Sequence, residues 1–377
     1  MAQPLVLESL EIRRFRAFHN LRVERLGRVN LVVGKNNVGK TCLLEALSLY
    51  ASRGSLITMR GLLESRDETG RFPLRSDRET KGQLVKYLFH GRRDLGEQVK
   101  PIQIGPCDSK DRVLFIDVIW FREQLDRQGR RQLLALSPDE RDEVEILFPG
   151  LCIRLGSQQL LNYPLEIDIS EITRLGLPKK FKEMEIQQVF IPANGLDKEQ
   201  VTLLWDQIAL TDLEQDVLAS LHIIALQRVE RVNLIGSRES DRERIPIVKL
   251  TGMTAPLPLR SLGEGMNRLF QIALALVNAR GGILLIDEID SGLHYSVQPD
   301  LWRLVFQVAH RLNVQVFATT HSWDCVAAFQ QAAQEDGQGE GLLISLRSKR
   351  DEPDHVVAIL FDERELATVT RENIEVR

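Results

Sequence analysis

The stretch Gly34-Lys35-Asn36-Asn37-Val38-Gly39-Lys40-Thr41 sets the reading of everything around it. It fits the pattern of a Gly-rich turn closed by Lys and a hydroxyl residue. Ahead of it, Val29-Asn30-Leu31-Val32-Val33 is a short apolar run of the kind that forms a buried strand. Behind it, Cys42–Tyr50 carries apolar residues at helical spacing. Strand, turn and helix in that order are the context such a turn needs. Gly34 and Gly39 permit a tight turn in which successive backbone N–H groups point inward. The helix N-terminus adds the positive end of its dipole. The expectation is a cradle for phosphate oxygens, with Lys40 reaching the β- and γ-phosphates and Thr41 ligating Mg²⁺.

The chain has 377 residues, 43% hydrophobic and 27% charged, which is ordinary for a globular protein of one or two domains. Its net charge is −4, so it is no polycation, and any nucleic-acid contact would need a local patch. Cys42, Cys107, Cys152 and Cys325 form no CxxC pair and no His/Cys cluster. That argues against a structural zinc and suits a reducing compartment. The start lacks a basic-then-apolar leader, and no apolar run approaches the ~20 residues of a membrane span. A cytoplasmic protein without a membrane segment is expected.

Taken in order, Leu5–Phe18 alternates apolar and polar residues in its second half and reads as a strand, with Leu21–Leu26 as its hairpin partner. Arg13, Arg14 and Arg16 form a short basic run, either a solvated strand face or a contact to the nucleotide. Ser55–Glu68 reads as helix and Gly82–Phe89 as a short helix or strand. Ile102–Ile104, Val113–Phe121, Gln132–Leu136, Glu143–Phe148, Cys152–Leu155 and Leu165–Ile169 read as an antiparallel meander spanning about 55–185. Gln187–Pro192 is a compact strand ending at Pro. Lys198–Leu210 and Leu213–Arg228 read as helices, Arg231–Glu243 as a polar loop or helix end, and Ile245–Leu250 as a strand. No heptad run is sustained between Lys40 and Asp287, which excludes a long coiled-coil arm.

A second constellation lies toward the C-terminus. Ile283–Ile286 is four apolar residues, a buried parallel strand, followed by Asp287-Glu288. Asp287 at the strand end is placed to hold Mg²⁺, and Glu288 to orient and deprotonate an attacking water. Upstream, Ser261-Leu262-Gly263-Glu264-Gly265 opens an apolar helix, Leu269–Ala279, either as an anion site or as an ordinary N-cap. Downstream, Val314–Thr319 ends in Thr320-His321-Ser322. One helix and one strand separate His321 from Glu288, so it should emerge beside the same crevice.

These pieces together resemble an ABC-type ATPase head: the P-loop Gly34–Thr41, the signature-like Ser261–Gly265, the Asp287-Glu288 pair, the Asp290 turn and the switch-like His321. Ile-Asp-Glu-Ile-Asp-Ser-Gly-Leu-His and Gln-Val-Phe-Ala-Thr-Thr-His-Ser are similar to the AAA15/AAA21 ATPases of the overcoming-lysogenization-defect (OLD) type, relatives of SMC heads. The opening Ile12-Arg13-Arg14-Phe15-Arg16 fits their first strand. The resemblance implies ATP and Mg²⁺ as cofactors. It also implies a homodimer that sandwiches ATP, the signature residues Ser261, Gly263 and Gly265 of one protomer capping the nucleotide of the other, with Asp290 beside it. OLD proteins proper carry a C-terminal Toprim nuclease. After Val356–Phe361 this chain runs only to Arg377, so a separate effector is expected. A Q-loop glutamine belongs after the strand ending at Pro192, where Asn194 is the stand-in.

The expected fold is α/β: a P-loop NTPase with an ABC-type head, a mixed core sheet, an antiparallel β lobe and a helical signature lobe. Residues 1–192 would carry the P-loop and the meander, and 193–377 the signature, the acidic pair and His321. The leading expectation is Mg²⁺-dependent ATP hydrolysis that switches a partner effector, a nuclease in defence against phage or plasmids. The alternatives are an SMC-like ATPase in contact with DNA and a transporter ATPase subunit.

Overall fold

The computed structural model describes residues 4–68, 84–92, 99–125, 127–129, 131–136, 140, 147–165, 184–224, 229–237, 240–349 and 355–372. The chain opens with a tight hairpin, β1 (Leu10–Phe15) and β2 (Phe18–Val23), paired from Leu10↔Val23 to Phe15↔Phe18. The partner strand begins three residues before the expected Leu21, because the turn closes at Arg16-Ala17. Next come β3 (Val29–Gly34), helix α1 (Lys40–Ala51) and helix α2 (Leu56–Glu64). Every residue of β3 is buried, as a strand covered on both faces requires.

The meander follows: β4 (Ile102–Gly105), β5 (Leu114–Leu125), β6 (Arg131–Ala135), β7 (Phe148–Leu155) and β8 (Gln158–Pro164). All its pairings are antiparallel, and the β1–β2 hairpin joins the same sheet through β4. A strand that the sequence reading did not assign precedes the expected Leu165–Ile169. Gln158–Pro164 is the strand, turning back on β7 through Gly156, whose φ is +57°. Residues 166–169, and most of the expected strand Glu143–Phe148, lie outside the described residues.

β9 (Gln188–Ile191) returns the chain to the central sheet, and α3 (Lys198–Ile208) and α4 (Asp212–Ile224) follow. Arg231–Glu243 is no loop. β10 (Val229–Ser237) and β11 (Ser240–Leu250) pair as a long antiparallel hairpin, with β12 (Leu257–Pro258) beside it. The charges hide an alternation of period two: Val232 and Leu234 are buried, while Arg231, Asn233 and Ile235 face out. Then come α5 (Glu264–Asn278), β13 (Ile283–Ile286), α6 (Gln298–Leu312), β14 (Gln315–Thr319), α7 (Trp323–Asp336), β15 (Gly341–Ser348), β16 (Val356–Phe361) and α8 (Glu363–Arg371). Helix α5 starts five residues earlier than expected from its apolar run, so the signature-like segment is partly inside it.

The central sheet has the order β16-β15-β3-β14-β13-β9, parallel except at β16. One core cluster packs α3 to α7 on one face of this sheet, and the other packs α1 and the meander on the opposite face. Ile283, Leu284, Leu285 and Ile286 are each 0% exposed. Each such side chain contributes roughly 1.5–3 kcal/mol by leaving water. The order brings the C-terminal ends of β3, β14 and β13 side by side, which is where an open parallel sheet binds ligands.

Candidate nucleotide site

The turn after β3 is built from strained backbone where the sequence provides glycine. Gly34 has φ +150° and Gly39, which caps α1, has φ +108°. A Cβ on Gly39 would stand 2.9 Å from the Phe18 ring, so the turn is also pressed against the β1–β2 hairpin. Lys40 folds back onto the turn, its Nζ donating to the carbonyls of Gly34 at 2.8 Å and Lys35 at 3.2 Å. Burial lowers its pKa, while Asp287 and Glu288 pull it up.

β13 and β14 deliver the opposing wall. Thr41 donates its hydroxyl to Oδ2 of Asp287 at 3.0 Å, and Thr319 donates to Oδ1 at 2.6 Å. The Thr319 hydroxyl also accepts from the Glu288 amide at 2.8 Å. Glu288 sits at φ +48°, a left-handed conformation that costs a side chain about 1–2 kcal/mol. His321 Nδ1 lies 3.6 Å from Glu288 Oε1, with 58% and 41% of the two side chains exposed, so this pair is open to solvent. Asp290 is committed elsewhere, accepting from the Thr320 hydroxyl at 2.7 Å.

Lys40, Thr41, Asp287 and Glu288 border a cleft of about 950 Å³, whose wall also includes Asn36, Asn37 and Gly39. Ser261, Gly263, Gly265, Asp290, Asn194 and His321 are not part of that wall. Val38 is buried behind the turn. Ser261 lies exposed in a short 3-10 turn, Leu259–Leu262, and the cap of α5 is Gly263 at φ +106°. The segment is not held by a side-chain cap, and its backbone needs a glycine at that φ.

Among the described residues no group of three His, Cys, Asp or Glu is placed to hold a metal ion. The Thr41 hydroxyl and the Asp287 carboxylate are hard oxygen donors in contact with each other. That set fits Mg²⁺, which takes few protein oxygens and shares the rest of its shell with phosphate and water.

Two features escaped the sequence reading. The first is Arg268, 5% exposed, on α5. Its guanidinium donates to three carbonyls, those of Pro192 at 3.1 Å, Asp287 at 2.8 Å and Glu288 at 3.0 Å. It ties α5 to the ends of β9 and β13. Burial lowers its pKa, and Asp287, Asp290 and Glu288 oppose that shift. The second is Glu45, one helical turn beyond Thr41 on α1. It is buried between Arg16 at 2.9 Å and Arg66 at 2.7 Å. Burial pushes its carboxyl up against the pull of both guanidiniums. Of the basic run, Arg13 is at the surface, Arg14 donates to the Pro101 carbonyl, and Arg16 lies in the cleft wall. A lone acid among the apolar positions of α1 was the available signal for Glu45. For Arg268 there was none beyond its place in an apolar helix.

The fold is that of a P-loop, ABC-type head, with the cleft at the C-terminal ends of its parallel strands. Residues 210–324 match the family described as "AAA domain, putative AbiEii toxin, Type IV TA system". An ATP/GTP phosphatase of Helicobacter pylori is 21% identical over 350 residues, 88% of this chain and 89% of that protein. An uncharacterized protein of Methanocaldococcus jannaschii is 43% identical over 47 residues, 12% of this chain and 22% of that protein. Among solved structures, an SMC head bound to the C-winged helix domain of ScpA matches in fold, at 12% identity and a TM-score of 0.50. The match covers 95% of this chain and 98% of that one. The chain is similar to AAA/ABC-type ATPases.

Proposed function

We propose that this ATPase works as a nucleotide-sandwiched dimer whose closing and opening switch a separate effector, a nuclease in defence against phage or plasmids. One observation carries the core of the reading. Thr41 and Asp287, from the P-loop helix and the end of β13, meet at 3.0 Å with Lys40 and Glu288 on the same cleft. In this reading the turn amides and Lys40 bind the triphosphate, Lys40 leaving the carbonyls it now contacts. Thr41 and Asp287 hold Mg²⁺, which neutralises phosphate charge. Glu288 orients the attacking water and takes its proton, with His321 close enough to sense the γ-phosphate end. The exposed turn Leu259–Gly263, away from this cleft, is available to a second protomer. The likeness to an ATP/GTP phosphatase supports hydrolysis and makes GTP a second substrate to assay.

The test is Glu288→Gln. ATP should bind as before and hydrolysis should fall about 10²–10⁴-fold, the range for losing a general base. A variant that turns over at the parent's rate removes Glu288 from the mechanism. A second reading, an SMC-like ATPase that grips DNA, is supported by the fold likeness to the SMC head. Salt-dependent binding of duplex DNA by the pure protein would favour it.

A further inference from the structure

A second cleft, of about 500 Å³, opens between the β9–α3 loop, the first turn of α3, β11 and the segment leading into α5. It shares no wall residue with the P-loop cleft. Its size is that of a small-molecule site. Four cations line it, Lys198, Arg244, Arg260 and Arg268, against one acid, Glu264. Between the cations the wall is apolar, from Val201, Ile245 and Pro246. The floor is built rather than incidental. Gln271, 5% exposed, accepts from the Leu196 amide at 2.8 Å, under a turn that needs Gly195 at φ +84°. A Cβ on Gly195 would come within 2.7 Å of the Gln271 carbonyl oxygen.

Two of the cations are held loosely. Lys198 reaches Glu243 at 3.7 Å and Arg260 reaches Glu264 at 2.6 Å, both pairs more than half exposed. Such pairs contribute little and exchange readily. Arg244 pairs with Asp206. The Nε atoms of Arg244 and Arg268 are buried without an acceptor, an uncommon state for a charged group. A wall rich in cations beside an apolar patch describes a ligand with an anionic head and an apolar body.

We propose that this cleft is a second ligand site, taking a small organic anion with an apolar body. Arg260 and Glu264 flank Ser261-Leu262-Gly263, and Ser291-Gly292, just past the acidic pair, completes the wall. A bound anion that draws Arg260 off Glu264 therefore moves the signature turn and changes turnover. That effect rests on the role proposed for the signature turn; the binding does not.

The probe is 1-anilinonaphthalene-8-sulfonate, titrated by fluorescence into the full chain, with its neutral analogue N-phenyl-1-naphthylamine beside it. The sulfonate should saturate at one site per chain, unchanged in Lys40→Ala. Arg244→Ala should weaken it about tenfold, and Lys198→Glu with Arg244→Glu should abolish it, as loss of charged hydrogen-bond donors predicts. Melting temperature and ATP binding at the P-loop, measured on the same samples, establish that the variants are folded. The site is overturned if the folded charge-reversed variant binds the sulfonate as tightly as the parent. It is equally overturned if the neutral analogue binds as well, or if Lys40→Ala removes the signal.

Discussion

Thr319 donates its hydroxyl to Asp287 at 2.6 Å across the β14–β13 boundary, and the same oxygen accepts from the Glu288 amide. One side chain on a neighbouring strand thus fixes both the carboxylate proposed for the metal and the backbone that aims the proposed base. Thr319 is 0% exposed, so water cannot replace it.

Thr319→Val should therefore keep the shape of the core and lose the clamp. Loss of such a supporting hydrogen bond typically costs about 10–100-fold in metal affinity or activity. The measurement is ATPase rate against Mg²⁺ concentration, where the half-saturating Mg²⁺ should rise. Thr319→Ser, which keeps the hydroxyl, should recover most of the rate. Parent-like Mg²⁺ dependence in Thr319→Val would mean the clamp is idle.

Arg268 is the corresponding tie from the other side. Arg268→Gln strips donors from the carbonyls of Asp287 and Glu288 and frees the φ +48° backbone at Glu288. Each buried carbonyl left unpaired costs about 1–3 kcal/mol. Turnover should fall much more than ATP affinity, because Lys40 and the turn are untouched. Equal loss of both would identify Arg268 as a general support of the fold.

The P-loop and the acidic pair were legible because each is a local pattern: glycines at a forced turn, and aliphatics ending in two acids. The placement of His321 beside Glu288 followed from the one helix and one strand between them. Long-range ties were not legible. Arg268 lies 19 residues from Asp287 and 76 from Pro192, and nothing local marks which carbonyls it meets. The hairpin Val229–Leu250 was misread because the charges on its outer face mask the inward Val232, Leu234 and Val248. The Ser261–Gly265 segment does open a helix, but its cap is Gly263 rather than Ser261.

Glu45 offers a stability test beside the site. It is ion-paired with Arg16 and accepts from Arg66, with 2% of its side chain exposed. Glu45→Ala leaves Arg16 buried with Glu68 as its remaining carboxylate partner at 2.8 Å. Breaking one side of a buried pair costs about 3–5 kcal/mol, and Glu68 should hold the loss near the lower end. Urea unfolding would show it as a lower midpoint with an unchanged slope. A variant as stable as the parent would show that the network contributes nothing net.

The trans action of the signature is the most discriminating prediction. Ser261 is exposed in the turn before α5 and is not its cap, so Ser261→Arg should leave the melting temperature nearly unchanged. If the active unit is an ATP-sandwiched dimer, Ser261→Arg should still bind ATP at its own Lys40 and fail to hydrolyse it. Lys40→Ala should fail for the opposite reason, losing a charge from the phosphates. Mixing the two gives heterodimers in which the intact P-loop of one protomer faces the intact signature of the other. The second composite site carries both defects. Neither variant is active alone, so the mixture should recover some activity, at most about half of the parent's per dimer if the sites act independently. Strict coupling between the sites could suppress that recovery, so light scattering in a Glu288→Gln background supplies the second readout. The particle should double in mass on adding ATP, and Ser261→Arg should prevent the doubling. A particle that never grows with ATP, or one that assembles regardless of Ser261→Arg, would count against a signature acting in trans.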